Sequence, residues 1–265
     1  MIVSTSLKAT VNDISAAVLF SRELAVPFIE RGRNSLQNLR QKYNATVIVI
    51  IERQVPVAYH VAERFFFHPG MSELRILNML RGAKDSLIEA MALKPGMSVL
   101  DCTAGLAADA LVSSHAVTNT GKVVGLEVSP LIASVTRWGL QSLSVEPKVK
   151  VPEIRQAARN IEIIPVDHRE YLARLADNSY DVVYFDPMFR RPKFSSAGIL
   201  PLRVFADDRP LTQVSLGQAL RVARLRVVVK EASGSSEFNR LGIWRLAGGK
   251  YSSVQYGVLF KEDCY

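Results

Sequence analysis

From Lys94 onward, short apolar segments rich in β-branched residues alternate with helical stretches, and this alternation limits the fold more than any other feature. It is typical of a parallel sheet covered by helices on both faces. The predicted strands are Ser98–Cys102, Val123–Glu127, Ile161–Val166, Asp181–Asp186 and Arg226–Lys230, and the predicted helices begin near Leu106, Pro130, Arg169 and Pro210. Near the end, Ile243–Leu246 and Val254–Phe260 flank the run AGGKYSS, which predicts an antiparallel hairpin that closes the sheet.

The first 65 residues predict a separate, small α/β unit. Its segments are a strand at Ile2–Thr5, a helix at Ile14–Leu24, a strand at Val26–Ile29, a helix at Leu36–Tyr43, and the strands Ala45–Ile51 and Val55–Val61, which Arg53-Gln54 join as a hairpin. Beyond a connector, Ser72 is predicted to cap a helix over Glu73–Leu93, with Gly82 as the candidate break in it. We therefore predict an N-terminal α/β subdomain over 1–65 and a larger domain over 66–265.

Composition excludes several classes of protein. Hydrophobic residues make up 48% and charged residues 22% of the 265 residues, which indicates a soluble globular fold. The longest strongly apolar run, Thr46–Ile51, is far shorter than the roughly 18 residues of a membrane helix, and no signal peptide is visible, so we expect a cytoplasmic protein. The cysteines Cys102 and Cys264 and the four histidines lack the spacing of zinc ligands. The sequence thus predicts neither a membrane partner nor a metal.

The positive charge is concentrated in one segment. The chain carries a net charge of +8, and residues 186–230 contain nine basic residues against three acidic ones, which accounts for six of those eight charges. A solvated basic face is one interpretation of this segment. A surface that contacts the phosphate backbone of a nucleic acid is the other.

Three predicted strands end in residues suited to a nucleotide-like cofactor. Gly105 follows the first strand, where backbone amides can face a ligand, although the GxGxxG fingerprint of dinucleotide-binding proteins is absent. Glu127 ends the second strand, 26 positions after Asp101, where an acid can accept hydrogen bonds from ribose hydroxyls. Asp167 ends the third strand, where it can accept an adenine amino group. Both Glu127 and Asp167 are also suited to cap the following helices, so both interpretations stay open.

The fourth strand end, VVYFDPMF, is the most specific motif in the chain. Asp186 supplies a carboxylate acceptor, and Pro187 has no amide proton, so nearby carbonyl groups can point outward. Phe189 can stack on an unstacked base. Two acceptors beside an aromatic face suit the exocyclic amine of a nucleobase, whereas a buried Phe in a tight turn is the structural alternative.

In this order, VLDCTAGLAADAL, GLEVSP, DVVYFDPMF, LRVF and RVVVK resemble class I S-adenosylmethionine-dependent methyltransferases, most closely the bacterial 16S rRNA guanine-N2 methyltransferases. The resemblance covers roughly residues 67–230 and implies a Rossmann-like α/β fold with a mostly parallel sheet, and S-adenosyl-L-methionine as the cofactor. It implies cofactor-binding roles for Asp101, Ala104, Gly105, Asp109, Glu127, Val128, Asp167, His168 and Asp186, and catalytic roles for Asp186, Pro187 and Phe189.

The chain departs from the pattern of that family at several positions. The first motif of the family reads Ala-Gly-Leu-Gly-Arg-Asp, and Ala107 and Ala108 replace its second glycine and its arginine, so the cofactor contact of that arginine is lost. Val128 replaces the arginine after the ribose-binding acid, Asp167-His168 stand in place of paired serines, and Glu231-Ala232 replace Arg-Pro. The resemblance therefore supports the cofactor more strongly than the rRNA substrate.

The function implied is methylation of an exocyclic base amine of RNA, guanine N2 of rRNA being the leading candidate, with the RNA, as rRNA or the small ribosomal subunit, bound through the basic segment 186–230. Hydrogen bonds from the amine to Asp186 would localise its lone pair for in-line attack. A methyltransferase for a protein carboxylate or a small molecule is one alternative. A nicotinamide-dependent oxidoreductase and a non-catalytic nucleic-acid-binding module are the others, but the first lacks GxGxxG and the second leaves Glu127 and Asp186 without a role.

Overall fold

The computed structural model describes residues 1–61, 63–187, 205, 207–249 and 252–264. Their first sheet contains four strands: β1 (Ile2–Thr5), β2 (Val47–Glu52), β3 (Val55–His60) and β4 (Glu63–Phe66). The strands lie in the order β1-β2-β3-β4, with β1 parallel to β2 and the other pairs antiparallel. Helices α1 (Val11–Glu23) and α2 (Leu36–Tyr43) connect β1 to β2 and pack on opposite faces of this sheet.

The second sheet contains seven strands: β5 (Ser98–Asp101), β6 (Lys122–Leu126), β7 (Ile161–Ile164), β8 (Tyr180–Phe185), β9 (Ala223–Ala232), β10 (Leu246–Ala247) and β11 (Val254–Phe260). Their order is β10-β11-β9-β8-β5-β6-β7, and β11 runs antiparallel to both of its neighbours. The chain therefore reverses its direction of strand addition between β5 and β8. In open α/β sheets, ligands bind at this switch point, outside the carboxyl ends of the strands. The predicted α/β fold with a mostly parallel sheet and a terminal antiparallel hairpin is confirmed.

Helices cover both faces of the second sheet: α3 (Ser72–Leu80), α4 (Ser86–Met91), α5 (Ala108–Val117), α6 (Pro130–Val145), α7 (Glu153–Arg159), α8 (His168–Arg174), α9 (Gln213–Val222) and α10 (Glu237–Leu241), before a 3-10 turn at Lys261–Cys264. Alternate residues of each strand point to opposite faces. Val99 of β5 thus packs with α5, α6 and α7, whereas Leu100 packs with α8, α9 and α10. Burial on both faces explains why these strands are almost wholly apolar.

Three local predictions are corrected by the structure. The segment Val26–Ile29 forms a single bridge, between Phe28 and Val3, because the Val26 amide donates back to the Ser21 carbonyl of α1 and not to a strand. Ser72 does not cap the predicted helix; it is the first helical residue, and its hydroxyl oxygen lies within hydrogen-bond distance of the carbonyl oxygens of Pro69 and Ala108, so its one proton is shared between them. The predicted single helix over residues 73–93 is two helices, α3 and α4, and the break at Gly82 is confirmed.

The hairpin turn between β2 and β3 is also confirmed, with an unusual composition. Arg53 and Gln54 have φ of +50° and +63°, the left-handed conformation that a tight hairpin turn requires and that Asn-Gly usually provides. The Gln54 amide donates to Asp13 Oδ1 at 2.8 Å, so α1 stabilises the turn from outside the hairpin.

The first sheet and the second sheet share a core along α6. Leu131, Ile132 and Val135 of this helix pack with apolar residues of α1, β2, β3 and β4. Next to this core, Gly139 of α6 leaves room for the Phe67 side chain, since a Cβ at Gly139 would lie 1.9 Å from Phe67 Cγ. The division into domains at residue 65 stays a prediction.

We expect Gly139→Ala to lower the free energy of unfolding by about 1 to 3 kcal/mol, because the added methyl group would overlap the Phe67 ring. Gly217→Ala in α9 is the matched control: a Cβ there meets nothing within 4 Å, so the change should raise stability by up to about 1 kcal/mol through helix propensity. Chemical denaturation measures both. Equal stability of the two variants would contradict the packing role of Gly139.

Candidate functional site

The loop between β5 and α5 opens onto the carboxyl edge of the second sheet. Gly105 has φ of +50°, and a Cβ on it would meet no atom within 4 Å, so this backbone borders open space. The Gly105 amide donates to Glu127 Oε2 at 3.1 Å, and its carbonyl accepts from the Thr136 hydroxyl at 2.7 Å. Both contacts attach the loop to the elements that follow β6.

Ala107 ends this loop in the left-handed conformation, with φ of +59° and ψ of 27°. An alanine in this region is strained by its Cβ. The structure thus shows why the similar family has glycine here. The Ala107 side chain is fully buried, and Ala108 begins α5 without a side chain that could reach a ligand.

Glu127 lies at the carboxyl end of β6, nearly buried beside the Gly105 loop. Its Oε1 accepts from the Ser129 amide at 2.8 Å, while Ser129, not Glu127, caps α6. Burial raises the pKa of Glu127 to about 7. A carboxylate has about four lone-pair positions. The two amide contacts therefore leave acceptor capacity for a ligand, and the neighbouring Val128 is half-buried.

Asp167 and His168 follow β7, farther along the same edge. Asp167 caps α8 by accepting from the Arg169 amide, and its Oδ2 accepts from Arg209 Nη2 at 2.8 Å. Burial works against ionisation here, but the Arg169 amide, the Arg169 guanidinium and the Arg209 guanidinium together lower the pKa of Asp167. The His168 ring packs edge-on against Phe185 at 5.4 Å, and its buried Nε2 has no hydrogen-bond partner among the described residues.

A network of buried charges occupies the switch point between β5 and β8. Lys230 Nζ donates to Asp109 Oδ2 at 2.8 Å and to Asp186 Oδ2 at 2.7 Å. Asp109 also accepts from the Tyr184 hydroxyl at 2.7 Å and from Arg75 Nη1 at 2.5 Å. The network brings four strand and helix ends together.

These neighbours move the pKa values of the two aspartates in opposite directions. Burial disfavours ionisation of both, but Lys230 and Arg75 hold the pKa of Asp109 far below its usual range. Burial raises the pKa of Asp186, and the repulsion by Asp109 adds to that shift while Lys230 opposes it. The Asp186 side chain is 30% exposed, against 9% for Asp109, so Asp186 is the carboxylate of the pair that a ligand can reach.

Asp101 and Cys102, at the end of β5, are buried beneath this network. Burial, with the nearby Asp109 and Asp186, raises the pKa of Asp101 to about 8, although the Thr103 amide donates to it at 3.0 Å. Burial also raises the pKa of the Cys102 thiol, which packs in the core as the sequence predicts. Thr103 in turn accepts from the Asp186 amide, which connects the ends of β5 and β8.

The structure therefore brings most predicted site residues to one edge of the sheet: Asp101, Ala104, Gly105, Asp109, Glu127, Val128, Asp167, His168, Asp186 and Pro187. Phe189 lies outside the described residues. Arg75 and Lys230 are the important additions. The basic residue that ends the motif RVVVK was the available signal for Lys230, whereas no sequence pattern pointed to Arg75.

The predicted basic surface over residues 186–230 is wrong for three of its arginines. Arg221 and Arg224 bond to carbonyl groups and aspartates at the opposite edge of the sheet, and Arg226 donates to the Ala90 carbonyl and stacks on Phe260. Groups within the protein thus pair with three of the nine basic side chains of this segment. Arg209 and Lys230 lie at the carboxyl edge, and Arg190, Arg191, Lys193 and Arg203 lie outside the described residues.

Among the described residues, His, Cys, Asp and Glu form no cluster suited to a metal ion. Within the same part of the chain, every helix is too short or too polar to cross a membrane.

Comparisons with known proteins agree with this geometry. Residues 53–240 match the family described as "Putative SAM-dependent methyltransferase", where SAM is S-adenosylmethionine. The chain is 35% identical to the uncharacterized protein YpiP of Bacillus subtilis over 97% of this chain and 98% of that protein. It is 34% identical to the ribosomal RNA small subunit methyltransferase J of Cellvibrio japonicus over 56% of this chain and 58% of that relative. The fold matches a SAM-dependent methyltransferase structure from Neisseria gonorrhoeae with a TM-score of 0.66 and 18% identity, covering 100% of this chain and 98% of that one.

The buried Asp101 carboxyl should make stability depend on pH. Between its ordinary value of 3.8 and about 8, the folded protein keeps a proton that the unfolded chain has released, so stability falls as pH rises through this range. Because an amide cannot lose this proton, Asp101→Asn should flatten the decline of the melting temperature between about pH 5 and pH 8. Asp208→Asn, at an exposed position, is the control. A decline as steep in Asp101→Asn as in the wild type would refute this assignment.

Proposed function

Because the chain belongs to the SAM-dependent methyltransferase family and uses S-adenosylmethionine, we propose that it methylates an exocyclic base amine of RNA, with guanine N2 of small-subunit rRNA as the leading candidate. The observation that carries this proposal is the Asp186 carboxylate, partly exposed at the switch point and bonded on Oδ2 by Lys230. Names of relatives that act on small-subunit rRNA support the RNA substrate. Family membership sets aside the oxidoreductase and the non-catalytic binding module.

The residues beside Gly105 fit the cofactor. The open space at Gly105 admits a ligand against the backbone, Glu127 offers acceptors for ribose hydroxyls, and Asp167 with His168 borders the place for an adenine ring. S-adenosylmethionine supplies a methyl group on a positively charged sulfur. For this chain, the task is to hold that methyl group in line with the attacking nitrogen.

Asp186 acts on the substrate amine. The nitrogen lone pair of such an amine is delocalised into the base, which makes it a weak nucleophile. A hydrogen bond from an amine N–H to the Asp186 carboxylate localises the lone pair, and the carboxylate accepts the proton that the nitrogen loses when the new N–C bond has formed. Pro187 directly follows this carboxylate and cannot compete for it as a backbone donor.

Lys230 is a positioning residue for Asp186. Burial and Asp109 push Asp186 towards its neutral form, which cannot accept a proton, and the Lys230 ammonium opposes that shift at 2.7 Å. By occupying Oδ2, Lys230 also fixes the orientation of the carboxylate.

The function is tested by comparing rRNA nucleosides from a deletion strain and its parent by mass spectrometry. We expect one methylated guanosine to disappear on deletion and to return when the purified protein and S-adenosylmethionine are added to the deletion-strain subunits. Transfer to a protein or a small molecule, with unchanged rRNA nucleosides, would overturn the proposal.

We expect Asp186→Ala to lower the single-turnover methylation rate about 100-fold or more while S-adenosylhomocysteine affinity stays unchanged.

Lys230→Met should move the acidic limb of the pH–rate profile to higher pH, because Asp186 loses the cation that favours its ionised form, and Lys230→Arg should restore the limb in part. Lys122→Met, at an exposed position on the opposite edge of the sheet, is the matched control. An unshifted acidic limb in a folded Lys230→Met variant would contradict the positioning role.

A further inference from the structure

The outer side of the β3–β4 hairpin presents aromatic rings and a cation to solvent. Tyr59 and Arg64 are cross-strand partners, and the Arg64 guanidinium lies 5.7 Å from the Tyr59 ring centroid and 5.4 Å from that of Phe66. The Phe66 side chain is 40% exposed. The opposite face of the same strands packs through Ala58 and Phe65 on α6, so the exposed set belongs to the face that α2 covers only in part.

A further guanidinium group adjoins this face. Arg31 lies close enough to Tyr59 for an electrostatic interaction. Within the described residues, Arg31 and Arg64 form no ion pair with a carboxylate. Arg64 is exposed, so its charge can reach an anionic ligand.

This face continues to the Gly105 loop. The Phe66 and His68 rings are in edge contact at 5.9 Å. His68 and Ala108 both approach the same point beside Gly70, within 4.0 Å of the place a Cβ would take there. Since Ala108 is the first residue of α5, directly after the Gly105 loop, the hairpin face leads to the edge where the cofactor is expected.

We propose that Arg31, Tyr59, Arg64, Phe66 and His68, called here the hairpin face, bind a single-stranded stretch of the RNA next to the target nucleotide. This inference rests on the proposed function. Exposed rings stack on bases without demanding a particular sequence, and guanidinium groups pair with phosphates. An enzyme cannot reach an exocyclic amine inside a duplex, so it acts on single-stranded RNA or flips the target nucleotide out of the helix, and an unpaired strand next to the target makes flipping unnecessary. A cationic, aromatic surface beside the site suits that strand.

The test compares the double variant Arg64→Ala/Phe66→Ala with Arg174→Ala/Trp244→Ala. The control removes the same kinds of side chain, also exposed, from the opposite edge of the second sheet. Fluorescence anisotropy measures binding of an unstructured RNA of about 12 nucleotides, and calorimetry measures S-adenosylhomocysteine affinity. For the hairpin variant we expect about tenfold or greater loss of RNA affinity, a shallower salt dependence and unchanged cofactor affinity, with wild-type values for the control.

The single variant Arg31→Ala provides a second measurement, with an expected loss of affinity and salt dependence in the same direction. Wild-type RNA affinity in folded hairpin and Arg31 variants, or an equal loss in the control, would overturn the inference. It would also be overturned if RNA affinity were unchanged and methyl transfer to a ribosomal protein fell instead. Wild-type protein that methylates no RNA defeats the proposed function itself, a result separate from these.

Discussion

The contacts of one ammonium group hold the carboxyl edge of the second sheet together. Lys230 lies near the carboxyl end of β9 and bonds to Asp186, at the end of β8, and to Asp109, in the first turn of α5. Arg75 extends the same network from α3 to Asp109 and Asp85, and the side chains of Lys230 and Asp109 retain only 19% and 9% exposure. Removing one partner from a buried ion pair leaves an uncompensated charge, which is strongly destabilising. The switch point of the sheet is thus fixed by electrostatics as well as by apolar packing, and the Asp186 carboxylate is presented in one orientation.

The three carboxyl groups near this network differ in protonation because they lie so close together. Asp101, Asp109 and Asp186 influence one another within a few residues of the two central strand ends. Asp109 is paired with two cations and stays ionised, whereas Asp101 accepts a hydrogen bond from the Thr103 amide and forms no ion pair among the described residues, and burial raises the pKa of Asp101 to about 8. A neutral Asp101 lowers the negative charge beneath the site, so Lys230 has two anions to neutralise and not three. The ionised form of Asp186, which the proposed chemistry needs, depends on this division.

Sequence patterns could predict the features that depend on residues close together in the chain, such as helix bounds and the ends of strands. Helix α2 has the predicted bounds, Leu36–Tyr43, because Ser35 caps it and Asn44 ends it in the left-handed conformation. The acids Glu127, Asp167 and Asp186 were found because parallel strands end at one edge. Arg75 was missed, since its partner Asp109 lies 34 positions away, and Lys230 contacts Asp109 across 121 positions. The net charge of residues 186–230 predicts a basic surface that is wrong for three arginines, for the same reason. Composition counts Arg221, Arg224 and Arg226 but cannot show that each bonds to a group within the protein.

Helix α6 packs against both sheets. At its first turns, Ser129 accepts from the Ile132 amide as the cap, Glu127 accepts from the Ser129 amide, and the Thr136 hydroxyl donates to the Gly105 carbonyl, so this end of the helix is bonded to the Gly105 loop. The outward side of the helix packs into the first sheet, where Trp138 meets Phe20 edge-on and donates to Glu23. Helix α6 is thus hydrogen-bonded to the Gly105 loop near its start and packed against the first sheet on its outward side. The first sheet therefore contacts an element that is bonded to the Gly105 loop, which brings a surface on its hairpin into the neighbourhood of the proposed methyl-transfer site.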